Sequence, residues 1–260
     1  MKDGFYRCQA ADGARAYNCS GEYERVLELL ARERRGLVVD VGCWSGAFLR
    51  LALREGFTAL GLDGDPGLNE CQEVPVRQAR FDRPLQLDDG SADHVVCLQT
   101  VEHVENPFLL VRELARIVRP GGLVVVSTPN ILEYWTRLRF LITGFHEACP
   151  RPHRAHDGVR FFHHINLIEY PRLAYAFEVA GLDVETVCTN RYRKSAAWAG
   201  AVLYLLTRLW TPRALRDEDD PLQRERNKIH LARMVGPTLL LGRTLIMTGR
   251  KRSARFEAAP

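Results

Sequence analysis

Val38-Val39-Asp40-Val41-Gly42-Cys43-Trp44-Ser45-Gly46 is an apolar run that ends in Asp-Val-Gly and passes into a turn of small residues. Such a run reads as a β-strand handing over to a helix, and glycines in the turn let the backbone approach a ligand closely because they carry no Cβ. A second apolar run, Leu60-Gly61-Leu62-Asp63, ends in a carboxylate about twenty residues further on, where an acid meets the ribose hydroxyls of a bound nucleoside. Strand, turn, helix and acid at this distance imply a nucleoside cofactor. The turn by itself leaves open which one.

Around this stretch the composition is that of an ordinary globular enzyme. The chain has 260 residues, 46% hydrophobic and 26% charged, which fits one large domain or one domain with an elaboration. Met1 to Tyr17 is polar and lacks the apolar segment of a secretory signal. The seven cysteines include no Cys-x-x-Cys pair, the usage of reduced thiols in a cytosol. A cytoplasmic protein, in part peripheral to a membrane, is the expectation. The net charge of +4 hides an asymmetry. Residues 1–190 hold 21 Lys/Arg against 26 Asp/Glu, whereas residues 191–260 hold 15 against 6.

Along the chain, apolar patterns of strand and helix period alternate. Helices are expected at 22–34, 47–54, 107–118, 131–142 and 168–180, the last closed by Gly181. Strands are expected at 37–41, 58–62, 74–81, 94–98, 123–127, 182–188 and 244–248. Pro120-Gly121-Gly122 is expected to form a tight turn before the fifth of these strands. This alternation argues an α/β fold, a doubly wound and mostly parallel sheet with helices on both faces. Gly144–His164, rich in His, Pro and Arg, reads as a loop over the site.

Three further features separate the possible cofactors. The turn is Gly-x-x-x-Gly and not Gly-x-Gly-x-x-Gly, an imperfect cradle for a dinucleotide's diphosphate. Leu85 to Asp93 leads into a strand that runs on into Gln99-Thr100-Val101-Glu102-His103-Val104. Arg119-Pro120-Gly121-Gly122 introduces a strand that ends Ser127-Thr128-Pro129-Asn130. With these motifs in this order, the chain resembles the class I S-adenosylmethionine-dependent methyltransferases. It is most similar to the branch holding ubiquinone-pathway O-methyltransferases and methyltransferases of glycan and lipid gene clusters. The resemblance spans 22–190 and resumes at 244–251. It implies a Rossmann-like seven-stranded sheet whose edge is an antiparallel hairpin of 182–188 and 244–248. Residues 191–243 would be an apolar, basic helical insertion in a single domain.

Carried over to this sequence, the resemblance implies that Asp40, Gly42, Cys43 and Gly46 line the methionine end of S-adenosylmethionine. Asp63 would hold the ribose. Trp44 replaces a commoner glycine and packs either on the cofactor or on the adjoining helix. The adenine acid falls on Arg80, so Asp82 is the alternative, and Gln99 completes the cofactor-side set.

On the acceptor side, the expected catalytic residues are His103, Glu102 and His164, with His163 beside it. Metal-dependent relatives read Glu-x-x-Glu-His where this chain reads Gln99-x-x-Glu102-His103, and a neutral amide is a weaker ligand for a hard cation. No metal is expected, and His103 is then the leading base. His146, Cys149, His153 and His156 have zinc-like spacings, but no Cys-x-x-Cys supports such a site.

The insertion carries two apolar runs, 196–210 and 231–247, both too short or interrupted to span a bilayer. They read as two helices packed on the core, or as an interfacial surface aided by Trp198, Trp210 and the basic Arg250-Lys251-Arg252. The acceptor is expected to be a small molecule or a glycan- or lipid-linked one, with methyl transfer to oxygen. Nucleic acid is not expected, since the motif of base N-methylation is missing. A nicotinamide dehydrogenase and a non-catalytic partner-binding protein are the alternatives.

Overall fold

In a computed structural model, the described residues are 8–9, 15–16, 21–146, 164–194, 197–215 and 219–253. Seven strands form one sheet: β1 (Leu37–Val41), β2 (Thr58–Asp63), β3 (Val76–Gln78), β4 (Ala92–Leu98), β5 (Val118–Pro129), β6 (Leu182–Cys188) and β7 (Thr244–Lys251). Their spatial order is β3-β2-β1-β4-β5-β7-β6. The pairs from β3 to β5 are parallel, and β7 runs antiparallel to both β5 and β6. Cys8–Gln9 and Arg15–Ala16 form a separate two-stranded ladder.

The helices are α1 (Glu22–Leu30), α2 (Ala47–Arg54), α3 (Pro107–Ile117), α4 (Tyr134–Thr143), α5 (Tyr170–Val179), α6 (Ala197–Trp210), α7 (Pro221–Met234) and α8 (Pro237–Leu241). The twofold period of the strands sorts the core into two layers. Val39, Val41, Val95, Cys97, Val124, Val126 and Met247 face α3 and α5, meeting Leu110, Leu114, Leu173 and Phe177. Their chain neighbours Val38, Val96, Leu98, Val125 and Ile246 face α1 and α2, meeting Val26, Leu30, Phe48 and Leu49. Both faces are buried, so the strands are continuous apolar runs and not alternating ones.

Several boundaries differ from those expected. β3 shrinks to three residues, because Pro75 offers no N–H and contributes only its carbonyl, which accepts from Gly61 N at 2.9 Å. The Pro120-Gly121-Gly122 turn lies inside β5: Ala92 faces Val118 but His94 faces Leu123, so the intervening residues bulge, with Gly121 at φ +74°. β7 continues to Lys251. The apolar run 231–247 is not one helix. It is divided among the end of α7, all of α8 and the start of β7.

The insertion is pinned to the core by polar contacts. Tyr170 Oη on α5 meets His230 Nδ1 at 2.7 Å and accepts from Arg233 Nη1 at 3.2 Å. Asn130, at the end of β5, donates to the carbonyls of Leu239 and Gly242. Tyr134, Leu203, Tyr204, Leu240 and Leu241 form a small apolar cluster joining α4, α6 and α8. The basic run Arg250-Lys251-Arg252 presents no open cationic surface. Arg250 pairs with Glu33 and Glu185, Lys251 Nζ donates to the carbonyls of Arg116 and Val118, and Arg252 pairs with Asp183. Among the described residues no helix is long and apolar enough to cross a membrane.

Candidate active site

The turn after β1 and the acid after β2 meet. Gly42 N and Cys43 N both donate to Leu62 O, and the chain bends through Gly42 (φ +85°), Trp44 (φ +42°) and Gly46 (φ +72°) before α2 begins. Asp63 Oδ2 accepts from Trp44 N at 2.8 Å, and its Oδ1 accepts from Asp65 N at 3.0 Å. The carboxylate therefore holds two turns in register, a structural duty alongside any ribose contact. Asp40 is buried directly below, and its Oδ1 makes no hydrogen bond. Burial and the neighbouring Asp63 charge push its carboxyl well above the usual range.

The other residues of the turn divide between backbone and side-chain roles. Cys43 is buried, and its Sγ lies over Gly61 among the residues packed beneath α2, so only its backbone faces the turn. A Cβ at Gly42 would overlap Thr100 Oγ1, and one at Gly46 would stand 2.5 Å from Asn69 Oδ1. These glycines are required by close packing as well as by positive φ. Trp44 is half-buried.

Along the same carboxyl edge, β4 ends at Leu98 and Gln99 takes φ +50°. Gln99 N donates to Ser127 O, and its Nε2 donates to Glu22 Oε1 at 3.0 Å, so its amide is directed to the buried Glu22 of α1. A one-turn helix, Val101–His103, follows. Glu102 is fully buried, and burial pushes its carboxyl up to about 8, with the charge of Glu22 adding to the rise.

The segment before α5 crosses this helix. Asn166 N donates to Glu102 O at 3.0 Å, and Asn166 Nδ2 donates to the carbonyls of Val104 and Glu105. This latch brings His164 to His103, ring centroids 4.8 Å apart and edge-on at 66°. Donor atoms of Glu102, His103 and His164 all lie within 4.8 Å of one another. One carboxylate and two imidazoles suit a first-row divalent cation. His164 supplies a third donor from a different segment, in place of the carboxylate that Gln99 lacks.

Asp82 is exposed and gripped by Arg80, Nε to Oδ1 at 3.0 Å and Nη2 to Oδ2 at 2.5 Å, which holds its carboxyl down to about 2. It would have to leave Arg80 to meet an adenine. Of the zinc-like set only His146 is among the described residues, and it stacks on Phe140 at 4.3 Å; Cys149, His153, His156 and also His163 lie outside them.

Two residues of this edge have no expected role in the sequence. Asn166 was visible only as part of Ile165-Asn166-Leu167, with nothing to signal its latch. Arg137 lines a cavity of about 620 Å³ between α4 and the segment before α5. An arginine in an aromatic helix is ordinarily read as solvated.

Residues 12–187 match a family model described as a methyltransferase domain. The ubiquinone biosynthesis O-methyltransferase of Sodalis glossinidius (strain morsitans) is 31% identical over 140 residues, covering 46% of this chain and 56% of that protein. The protein of the same name from Acinetobacter baylyi is 32% identical over 103 residues, covering 36% and 43%. The chain thus spans about half the length of the curated relatives it matches. A SAM-dependent methyltransferase structure from Archaeoglobus fulgidus superposes with TM-score 0.53 at 18% identity, covering 89% of this chain and 95% of that one. One from Mesorhizobium loti gives 0.51 at 18%, covering 89% and 99%. At that identity the likeness concerns the fold.

Proposed function

This chain belongs to the methyltransferase-domain family, and on that premise we propose that it transfers the methyl group of S-adenosylmethionine to an oxygen of an acceptor. The observation that carries this reading is the placement of two groups on one sheet edge. The Asp40–Asp63 turn system lies beside the cluster of Glu102, His103 and His164. The turn fits the cofactor: its backbone has the positive φ of a close approach, and Asp40 keeps a buried oxygen that makes no hydrogen bond. Asp63 is the ribose ligand in this reading, and Gly42, Cys43 and Gly46 contribute backbone.

When bound, S-adenosylmethionine supplies an electrophilic methyl on a sulfonium. The protein's task is then to align a nucleophile and manage its proton. His103 accepts the proton of the acceptor hydroxyl, because imidazole exchanges protons near neutral pH. His164 fixes the ring of His103 edge-on. Glu102, held near 8, is mostly neutral at pH 7 and buries little charge beneath the histidines.

The acceptor in this reading is a small molecule or a glycan- or lipid-linked one. A peripheral membrane contact is supported by α6, which exposes Leu205, Leu206, Leu209 and Trp210, the last 64% exposed. The Arg250–Arg252 run lends it no charge.

Calorimetry with S-adenosylhomocysteine and, separately, NADH tests the cofactor. S-adenosylhomocysteine is expected to bind and NADH not. Asp63→Asn keeps an acceptor for Trp44 N but loses the charge, and should weaken binding at least about tenfold. Unchanged affinity in that variant removes Asp63 from the site, and a preference for NADH refutes the methyltransferase reading.

A further inference from the structure

The cavity that Arg137 lines is walled by Ile131 and Leu132, which follow β5, and by Phe140 and Leu141 of α4. Its walls are apolar, yet Arg137 stands in them. Arg137 Nε and Nη2 are buried and make no hydrogen bond, and among the described residues Arg137 has no ion pair. Its Cζ lies 6.0 Å from the Tyr134 ring centroid. With two of its three nitrogens buried and no anion paired to it among the described residues, the guanidinium carries a desolvation cost, and burial pulls its proton affinity down. Arg193 differs in its charge partner: its Nε, also without a hydrogen bond, lies 3.5 Å from the carboxylate of the buried Glu133.

Glu169 also lines the cavity, where its charge acts on His146, and its carboxylate lies 4.0 Å from Arg172 Nε. The third polar group, His146, is stacked flat on Phe140. Among the described residues the cavity thus offers one guanidinium with no ion pair, in a lining shared with Glu169 and beside an apolar wall that continues into the exposed face of α4, where Leu141 is 79% exposed.

We propose that this cavity seats an anionic amphiphile as the methyl acceptor, its charged group taken by Arg137 and its apolar body lying along Ile131, Leu132, Phe140 and Leu141. The proposal rests on the methyltransferase reading for the word acceptor, though not for the binding itself. One segment links the two places in the chain, carrying His164 of the cluster at one end and Glu169 of the cavity wall at the other. A guanidinium matches the planar oxygens of phosphate and carboxylate alike, so the shared chemistry is an anionic oxygen group on an apolar chain.

Dodecyl phosphate, dodecanoate and dodecanol, each below its aggregation threshold, are titrated into the full chain with and without S-adenosylhomocysteine. The expected result is that one or both anions bind at least about tenfold more tightly than dodecanol. The stronger of the two identifies the acceptor's charged group. In Arg137→Met the preference should vanish while S-adenosylhomocysteine affinity stays put. Arg139→Met, an exposed neighbour on α4, should leave the preference intact. Because Arg137→Met removes a half-buried charge with no ion pair among the described residues, its melting temperature should not fall. Equal binding of the three probes to the unmodified chain overturns the proposal, as does a preference that survives in Arg137→Met. Failure of S-adenosylhomocysteine to bind, with the anion preference retained, overturns the methyltransferase reading and leaves the cavity assignment standing.

Discussion

Replacing Gly42 by alanine separates the two reasons for a glycine at the head of the turn. The position has φ +85°, where an L-residue costs about 1–2 kcal/mol. The added Cβ would also overlap Thr100 Oγ1 and stand 2.6 Å from Thr100 Cγ2, overpacking of a kind that costs roughly 1–3 kcal/mol. Gly42→Ala should therefore lose about 2–5 kcal/mol in urea unfolding, with the slope unchanged. Thr100→Ala alone removes the hydrogen bond from Oγ1 to Leu98 O and should cost about 1 kcal/mol. In the double variant the overlap with Oγ1 and Cγ2 is relieved, and the φ penalty, the lost bond and the 2.9 Å approach to the Cβ of residue 100 remain. The double variant should then be more stable than the sum of the singles predicts by about 1–2 kcal/mol. S-adenosylhomocysteine affinity should not recover with it, since the new Cβ still narrows the turn. Strict additivity, or a cost under about 0.5 kcal/mol for Gly42→Ala, would refute the packing argument.

Other substitutions probe the remaining parts. His103→Ala should leave S-adenosylhomocysteine affinity within about twofold and lower turnover by roughly 10² to 10⁴; a parallel loss of affinity would show that the histidine shapes the cofactor site. Asp93 accepts from Leu37 N at 2.8 Å and from Arg119 Nε at 2.7 Å, and these contacts hold its carboxyl below the ordinary range. Its contribution is present above the unfolded value and is lost as pH falls through the lower folded one. The stability gap between the unmodified chain and Asp93→Asn should hence narrow between about pH 5 and pH 2, and a gap constant with pH would sink the assignment. Replacing Leu205, Leu209 and Trp210 together by serine should abolish flotation with phosphatidylglycerol vesicles and leave the melting temperature unchanged. Unaltered flotation would remove α6 from any membrane contact.

Much of this architecture is legible in residue order because the strands are buried on both faces. Val38–Val41, Val95–Leu98 and Val124–Val126 are dense β-branched or apolar runs that no other environment would ask for. The Asp40–Gly46 turn and Asp63 are readable for a related reason, their spacing being set by a single strand–turn–helix unit. What escapes is whatever depends on contacts between distant segments. Gln99 turns to Glu22, 77 residues away, and no local pattern announces that partner. Whether His163 or His164 reaches His103 depends on the Asn166 latch. The direction of the Cys43 thiol depends on a glycine in the next strand. Arg250, Lys251 and Arg252 look like a basic tail in one dimension, and only the neighbouring carboxylates and carbonyls consume their charge.

The placement of β7 has a consequence for how the molecule is assembled. The strand lies between β5 and β6 in space but follows both, and the whole insertion, in sequence. Until residues 244–251 are available, β5 presents an open apolar edge and β6 has no strand to pair with. During synthesis the sheet must wait for its second-to-last position to be filled by one of its latest segments. In that interval the exposed edge is a template for pairing with another chain. Deletions reaching into Thr244–Lys251 should therefore yield insoluble protein, not a trimmed enzyme. The bulge at Gly121, which bends β5 at the far end of this edge, is one device that shortens the flat surface a neighbouring chain could find.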